Sequence, residues 1–142
     1  MNFSHIKLFI IFICISIVNI ISTTHLISIL LVGVIYYIFS LTLYYKEYYK
    51  LIWSILTFLV FEINFGFPLF SISLFSYFIY LVVVPYFTIN LSLNRTNYIT
   101  ALAIFYIFFG LLVALLNDFT TDMILPFFGN YLLDTLVLAF IL

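Results

Sequence analysis

The sequence predicts an all-α fold: a polytopic bundle of about six transmembrane helices, in a single domain that covers residues 1–142. Hydrophobic residues make up 68% of the chain and charged residues only 6%, whereas a soluble domain carries roughly 25% charged residues. The apolar residues are gathered in runs of membrane-spanning length, separated by short polar loops. These loops cannot hold a separate soluble domain, so one membrane bundle accounts for the whole chain.

The first two runs are predicted to be helices that cross the bilayer. Residues 6–21 have a basic start and small residues after them, like a signal peptide, but the apolar core is longer than usual and no Ala-x-Ala site follows. We therefore expect a retained helix. Residues 26–45 match a hydrocarbon core roughly 30 Å thick. Tyrosines and lysines at 44–50 then form an interfacial belt.

The next two runs meet at a break in the sequence. Residues 51–64 are few for a span, so this run either crosses the bilayer or is re-entrant. Gly66 and Pro68 predict the turn of a tight membrane hairpin at residues 65–70. Residues 69–91 form the long fourth run, and Pro85 within it removes a backbone hydrogen bond and kinks the helix.

The last two runs are residues 99–116 and 123–142. Pro126 falls in the first turn of the final helix, where its missing N–H costs little. Asp122 is the predicted N-cap of that helix.

The charges give the predicted orientation. With a cytoplasmic N-terminus and six spans, every basic residue is cytoplasmic and two acids are outside, in accord with the positive-inside rule. The basic residues are Lys7, Lys46, Lys50 and Arg95, and the acids are Asp118 and Asp122. Dropping the third span would move Arg95 outward. Both termini are therefore expected in the cytoplasm.

Several functional classes are disfavoured by what the chain contains. A net charge of −1 does not provide the basic patch that nucleic acid requires. The single cysteine, Cys14, offers neither a disulfide framework nor a zinc spacing. No catalytic, phosphate-binding or dinucleotide-binding motif occurs. We expect neither an enzyme nor a bound metal or cofactor.

Two acids inside the apolar runs are the candidate functional residues. Glu62 and Asp134 each lie about 11 residues from the start of their runs, which predicts similar depths near the midplane. They could therefore meet, with Asn64 and Asn130 as hydrogen-bond partners, or recognise a partner's Arg or Lys. The alternative is that each is a buried neutral acid that joins helices.

The hairpin residues resemble the rod shape-determining membrane protein MreD family. Members carry an acid, a Gly four positions later, and a Pro- or Thr-Leu-Gly element that starts the next helix, which corresponds here to Glu62, Gly66, Pro68 and Leu69. The similarity extends in outline over nearly the whole chain. Glu62 stands where Asp is commoner, Phe70 stands where Gly is usual, and the basic tail is missing.

The resemblance implies a non-enzymatic subunit of the bacterial cell-elongation machinery, located in the inner membrane. Its implied partners are MreC, MreB and the RodA glycan polymerase with its transpeptidase, in addition to the lipid bilayer. One alternative is a small transporter subunit, like the substrate-binding component of a vitamin importer, with an outward-facing pocket lined by Asn64, Glu62 and Asp134. Another is a purely structural bundle whose acids only join helices.

Overall fold

The computed structural model describes residues 4–24, 31–91, 97–116 and 121–142. Within these ranges the regular structure is helical, and the α-helices are α1 (His5–Thr24), α2 (Val32–Tyr44), α3 (Tyr48–Phe65), α4 (Ser71–Phe78), α5 (Val84–Leu91), α6 (Tyr98–Leu116) and α7 (Ile124–Ile141). A π-helical turn at Ile79–Val83 joins α4 and α5 into one continuous helix. The described chain therefore has six helices, and the predicted all-α bundle is confirmed.

Five of these six helices are long and apolar enough to cross a membrane. Among them is α3, so the third run has the length and composition of a span. The chain is a multi-pass membrane protein. Arg95 and Asp118, on which the predicted orientation partly rests, lie outside the described residues, as do residues 26–30 of the second run.

The π-helical turn precedes Pro85. A proline in a helix cannot donate a hydrogen bond to residue i−4, and its ring crowds that carbonyl, here the carbonyl of Leu81. The π turn widens the helix over Ile79–Val83, and the Val84 amide donates to the Ile79 carbonyl, five residues back. The sequence predicted a kink at Pro85, and the feature that the structure shows directly before this proline is the π turn.

The start of the last helix differs from the prediction in one respect. Asp122 lies within a 3₁₀ turn, Thr121–Met123, and the N-cap position of α7 is Met123, without a side-chain hydrogen bond. The prediction that Asp122 is the N-cap is therefore wrong, because the 3₁₀ turn moves the helix start by one residue beyond it. Pro126 is the third residue of α7, as expected for the first turn.

The helix α2 lies at the centre of the bundle. Its residues from Val32 to Phe39 are all buried, and it packs against α3, α6 and α7. The ring centroids of Phe39 and Phe58 of α3 are 5.8 Å apart in an edge-on arrangement. Those of Tyr36 and Phe105 of α6 are 4.2 Å apart, with the rings stacked. In contrast, α1 packs mainly along α3.

This central helix is too short to cross the bilayer by itself. Its 13 residues correspond to about 20 Å of helix, against roughly 30 Å of hydrocarbon. Its first residues, Val32 and Gly33, are buried among the other helices. The N-terminus of α2 therefore lies inside the bundle, where its free amide groups need acceptors supplied by the protein.

Candidate functional site: two acids at helix N-termini

The hairpin between α3 and α4 is closed by Gly66. This residue follows the last residue of α3 and has φ = +71°, a left-handed conformation that glycine adopts without strain. The amides of Gly66 and Phe67 both donate to the carbonyl of Glu62. The Ser71 amide then donates to the Pro68 carbonyl at 3.1 Å. The predicted turn at residues 65–70 is confirmed.

Glu62 caps the helix that follows this turn. Its side chain is 0% exposed. Oε2 accepts the Phe70 amide at 2.6 Å and Oε1 accepts the Ile72 amide at 2.7 Å, at the start of α4. Amides at a helix N-terminus are otherwise unpaired, and the helix dipole favours a negative group there. Both carboxylate oxygens of Glu62 are thus committed to the backbone of α4.

Phe70 adopts a strained backbone conformation at this cap. Its φ is +64°, and it directly precedes the first residue of α4. A left-handed conformation costs a non-glycine residue about 1–2 kcal/mol. The hydrogen bond from the Phe70 amide to Glu62 helps to hold it.

Asp134 plays the same part at the start of the central helix α2. It is 0% exposed, and its Oδ2 accepts the Gly33 amide at 2.8 Å and the Tyr106 hydroxyl at 2.5 Å. Leu31, which precedes α2, has φ = +61° and thus repeats the conformation of Phe70. The acid of α7 therefore anchors an intramembrane helix end, with α6 as a second attachment.

Gly33 is required at this point by close packing. A Cβ added to it would lie 2.5 Å from Oδ2 of Asp134 and 2.8 Å from side-chain atoms of both Leu102 and Tyr106. These distances are shorter than real Cβ atoms show. Glycine therefore allows α2 to approach α6 and α7 closely enough for the amide to reach the carboxylate.

The expectation that Glu62 and Asp134 meet is wrong. Their carboxylates bind different helix N-termini and share no hydrogen-bond partner. The depth estimate fails as well, because α3 begins at Tyr48 and ends at Phe65, so Glu62 is three residues from the end of its helix. Asp134 is ten residues from the start of α7 and seven from its end, near the middle. Glu62 is thus 14 residues from the start of α3 and Asp134 ten residues from the start of α7, so the equal count of about 11 residues does not hold.

The two asparagines proposed as partners of the acids have different environments. Asn130 is buried on α7 one turn before Asp134, so the predicted polar stripe on the last helix is present. Asn64 is half-buried, and its Nδ2 has no hydrogen-bond partner within the described residues. Asn64 therefore does not support Glu62. Pro68 is exposed and lies in the turn, where its carbonyl accepts the Ser71 amide.

Sequence reasoning missed two residues of this arrangement, Gly33 and Tyr106. A lone glycine inside an apolar run is a signal of close backbone approach, and Gly33 is one of only four glycines in the chain. Tyr106 has no such signal, since it is one of 12 tyrosines. Only the packing of α6 against α7 identifies it.

The arrangement holds helices in position, and of the four carboxylate oxygens of the two acids only Oδ1 of Asp134 has no hydrogen-bond partner among the described residues. In the four described ranges, no group of three or more His, Cys, Asp or Glu residues could hold a metal ion. Comparison with protein-family models, with curated proteins and with solved structures finds no match to this chain. The case for a function therefore rests on the residues and their geometry.

Proposed function

We propose that this protein is a non-enzymatic integral membrane subunit of the bacterial cell-elongation machinery, similar to MreD. In this role it resides in the inner membrane and helps to assemble peptidoglycan synthesis with the MreB and MreC scaffold and with RodA and its transpeptidase. The observation that carries the proposal is that the MreD-like residues act together in one structural unit, the hairpin between α3 and α4.

Each part of that pattern has a physical role in the hairpin. The spacing of four from Glu62 to Gly66 lets the Glu62 carbonyl accept the Gly66 amide as α3 ends. The carboxylate of the same residue then caps α4. Phe70, in the position where MreD proteins usually carry Gly, has a positive φ that glycine would adopt without strain. The resemblance is thus consistent with a shared hairpin geometry.

The hairpin also presents apolar side chains outward, where a partner's membrane helix could pack. Ile63 is 69% exposed and Leu69 is 62% exposed, on the two sides of the turn. The acids are buried, so a partner would contact these apolar residues and not the carboxylates. This assigns partner binding to the outer surface of the hairpin and a positioning role to Glu62.

Depletion of the protein in its native host tests the proposal. We expect wider, rounder cells and loss of MreC from affinity purifications of the elongation machinery. Leu69→Trp should reduce recovery of MreC by adding bulk at the hairpin surface. Leu115→Trp is the matched control, since Leu115 is 85% exposed and lies near the C-terminal end of α6, outside the hairpin. Unchanged cell width together with no MreC recovery from the unmodified protein would refute the assignment.

The transporter alternative has one observation in its favour. Transporters often bind anionic substrates at the N-terminus of a broken membrane helix, and α2 begins inside the bundle. Here, however, that position is occupied by the carboxylate of Asp134 itself. Because Glu62 and Asp134 bind separate helix ends, they do not jointly line the pocket that a transporter subunit was expected to have. Neighbouring genes for MreB and MreC would favour the first proposal, and a neighbouring ATPase pair would favour the second.

A further inference from the structure

A small cavity lies where α2, the π-helical turn and α6 come together. It is lined by Tyr36, Ser40, Leu41 and Tyr44 of α2, Tyr80 of the π turn, Val84 at the start of α5, and Ala101 of α6. Four of these seven residues carry a hydroxyl group, and the cavity wall is almost as polar as it is apolar. The groove between α1 and α3, in contrast, is lined mainly by apolar side chains. No part of the proposed function uses this polar cavity.

The hydroxyl groups contributed by α2 lie along one face of that helix. Tyr36, Ser40 and Tyr44 are spaced four residues apart, so they follow one another on successive turns. Tyr44 is 47% exposed, Ser40 is partly buried, and Tyr36 is 0% exposed. At 1.5 Å per residue this row extends about 12 Å into the bundle. It therefore leads from the interfacial end of α2 to its buried part.

These hydroxyl groups can both donate and accept hydrogen bonds. The Ser40 hydroxyl donates to the Tyr37 carbonyl at 2.8 Å, and its oxygen retains the capacity to accept. The Tyr36 ring is held by its stacking on Phe105, and a tyrosine hydroxyl is a donor and an acceptor. A polar group inside a bilayer is costly unless its hydrogen bonds are made within the protein or to bound water. The cavity is therefore suited to a small ligand that donates and accepts.

The size of the cavity limits this ligand to a single water molecule. Its volume for a water-sized sphere is about 10 Å³, and one water requires roughly 10–15 Å³ measured in this way. A lipid chain or an organic substrate would need far more room. None of the lining residues is charged, so the cavity does not offer the ligands that a bound ion requires.

The cavity also adjoins the point where the α-helical hydrogen-bond ladder is interrupted. Tyr80 belongs to the π turn, and the amide of Val84 donates to the Ile79 carbonyl, five residues back. Interruptions of the ladder are places where water is found inserted into helices, and π turns occur frequently at functional sites. The position of the cavity thus favours the same ligand as its size.

We propose that this cavity binds one ordered water molecule, held by the hydroxyl groups of Tyr36, Ser40 and Tyr80. Buried waters typically make about three hydrogen bonds to polar groups of the protein. Tyr44 marks the side from which the water enters, because it is the exposed member of the row. The bound water joins α2 to the π turn. It is independent of the partners proposed above.

Hydroxyl-radical footprinting of the protein in nanodiscs tests this site. Brief X-ray irradiation turns water into hydroxyl radicals, which oxidise side chains close to a water molecule. A side chain that bulk solvent does not reach is therefore oxidised when a bound water lies beside it. Each rate is divided by the rate of the same residue in the unfolded protein. We expect Tyr36 to be oxidised several times faster than Phe58 and Phe61, which are equally 0% exposed but do not line the cavity.

Variants at the cavity identify what holds the water. Tyr36→Phe keeps the ring as a reporter but removes its hydroxyl, so oxidation at position 36 should fall to the rate of Phe58. Ser40→Ala should lower the oxidation of Tyr36, whereas Ser73→Ala, at a buried serine of α4 outside the cavity, should leave it unchanged. Ala101→Val should also protect Tyr36, because the added methyl groups fill the cavity.

Two outcomes would overturn the proposal. Oxidation of Tyr36 at the rate of Phe58 and Phe61 would mean that the cavity is dry. Oxidation at position 36 that persists in both Tyr36→Phe and Ser40→Ala would mean that water passes into the bundle without being held by the hydroxyl groups. Unfolding midpoints in detergent check the fold of each variant, and if Tyr36→Phe does not fold, Ser40→Ala and Ala101→Val decide the question.

Discussion

The Oδ2 atom of Asp134 lies 2.8 Å from the amide nitrogen of Gly33, a residue 101 positions earlier in the chain. This contact fixes the central helix α2 against α7 and, through the Tyr106 hydroxyl, against α6. In a bilayer an unpaired amide costs several kcal/mol. The acid at this depth is therefore explained by the helix end that it binds.

The two acids within the apolar runs have the same role at two places: each accepts backbone amides at the start of a helix. Glu62 caps α4 within a tight turn, and Asp134 caps α2 from a distant helix. In each case the residue before the capped helix, Phe70 or Leu31, has a positive φ. Each of these two helix ends has an acid that accepts its amides, and neither acid has to bind a partner to be accounted for.

Replacement of Gly33 by Ala should destabilise the bundle more than any other glycine substitution. The added Cβ would collide with Asp134, Leu102 and Tyr106. Overpacking of this kind costs about 1–3 kcal/mol, and the strained amide contact adds to it. Thermal unfolding in detergent measures the effect. Gly110→Ala and Gly129→Ala are the matched controls, because a Cβ at either position meets nothing within 4 Å, and a midpoint for Gly33→Ala equal to theirs would contradict the close-packing argument.

Amide substitutions should separate the two acids. Asp134→Asn should destabilise less than Glu62→Gln, because only Oδ2 accepts hydrogen bonds and the amide nitrogen can take the position of Oδ1, which has no partner among the described residues. Glu62→Gln should destabilise by about 1–3 kcal/mol, because both oxygens accept backbone amides and the new NH₂ would face a donor. The measurement is the unfolding midpoint in detergent for each variant. Equal losses for the two variants would show that the hydrogen-bond pattern does not set their stability.

Much of the fold follows from hydropathy and from local signals. The apolar runs and the hairpin turn at Gly66 depend on residues that are close in sequence, so their local chemistry is sufficient to predict them. The buried stripe of Asn130 and Asp134 follows from helical spacing.

The partners of the acids could not be predicted in the same way. Hydropathy treats residues 26–45 as one run, whereas the described helix begins at Val32. Nothing in the sequence therefore indicated that the first amides of α2 need a hydrogen-bond acceptor inside the bundle. The direction of the Glu62 side chain depends on how the turn returns the chain, and this brings Ile72, ten residues later, within reach. Counting residues from the boundaries of the runs placed Glu62 and Asp134 at similar depths. This count consequently paired two acids that bind different helices.

Replacement of Gly66 should weaken the hairpin through backbone strain alone. Its φ is +71° and a Cβ would meet nothing within 4 Å, so no collision contributes. Gly66→Ala should cost about 1–2 kcal/mol, and Gly66→Asn should cost less, since asparagine tolerates this conformation better. Unfolding midpoints of the two variants provide the measurement. A loss that is equal for Ala and Asn would argue against strain as the cause.

Cysteine labelling should find the loop between α2 and α3 in the cytoplasm. Tyr48→Cys in a Cys14→Ser background should stay unlabelled by an impermeant reagent added to intact cells, because the basic residues are expected inside. Thr121→Cys is the matched position, exposed at the start of the 3₁₀ turn before α7, and should react. Labelling of Tyr48→Cys from outside would reverse the orientation.

The double variant Glu62→Gln with Asp134→Asn should show additive effects on stability. The two carboxylates share no hydrogen-bond partner, and each holds a separate helix end. Independent sites usually add within about 0.5 kcal/mol, whereas a coupled pair deviates by more. The free energies of unfolding of the wild type, the two single variants and the double variant form the cycle. An interaction free energy well above that margin would mean that the acids influence one another through the packing of α2, which contacts both α3 and α7.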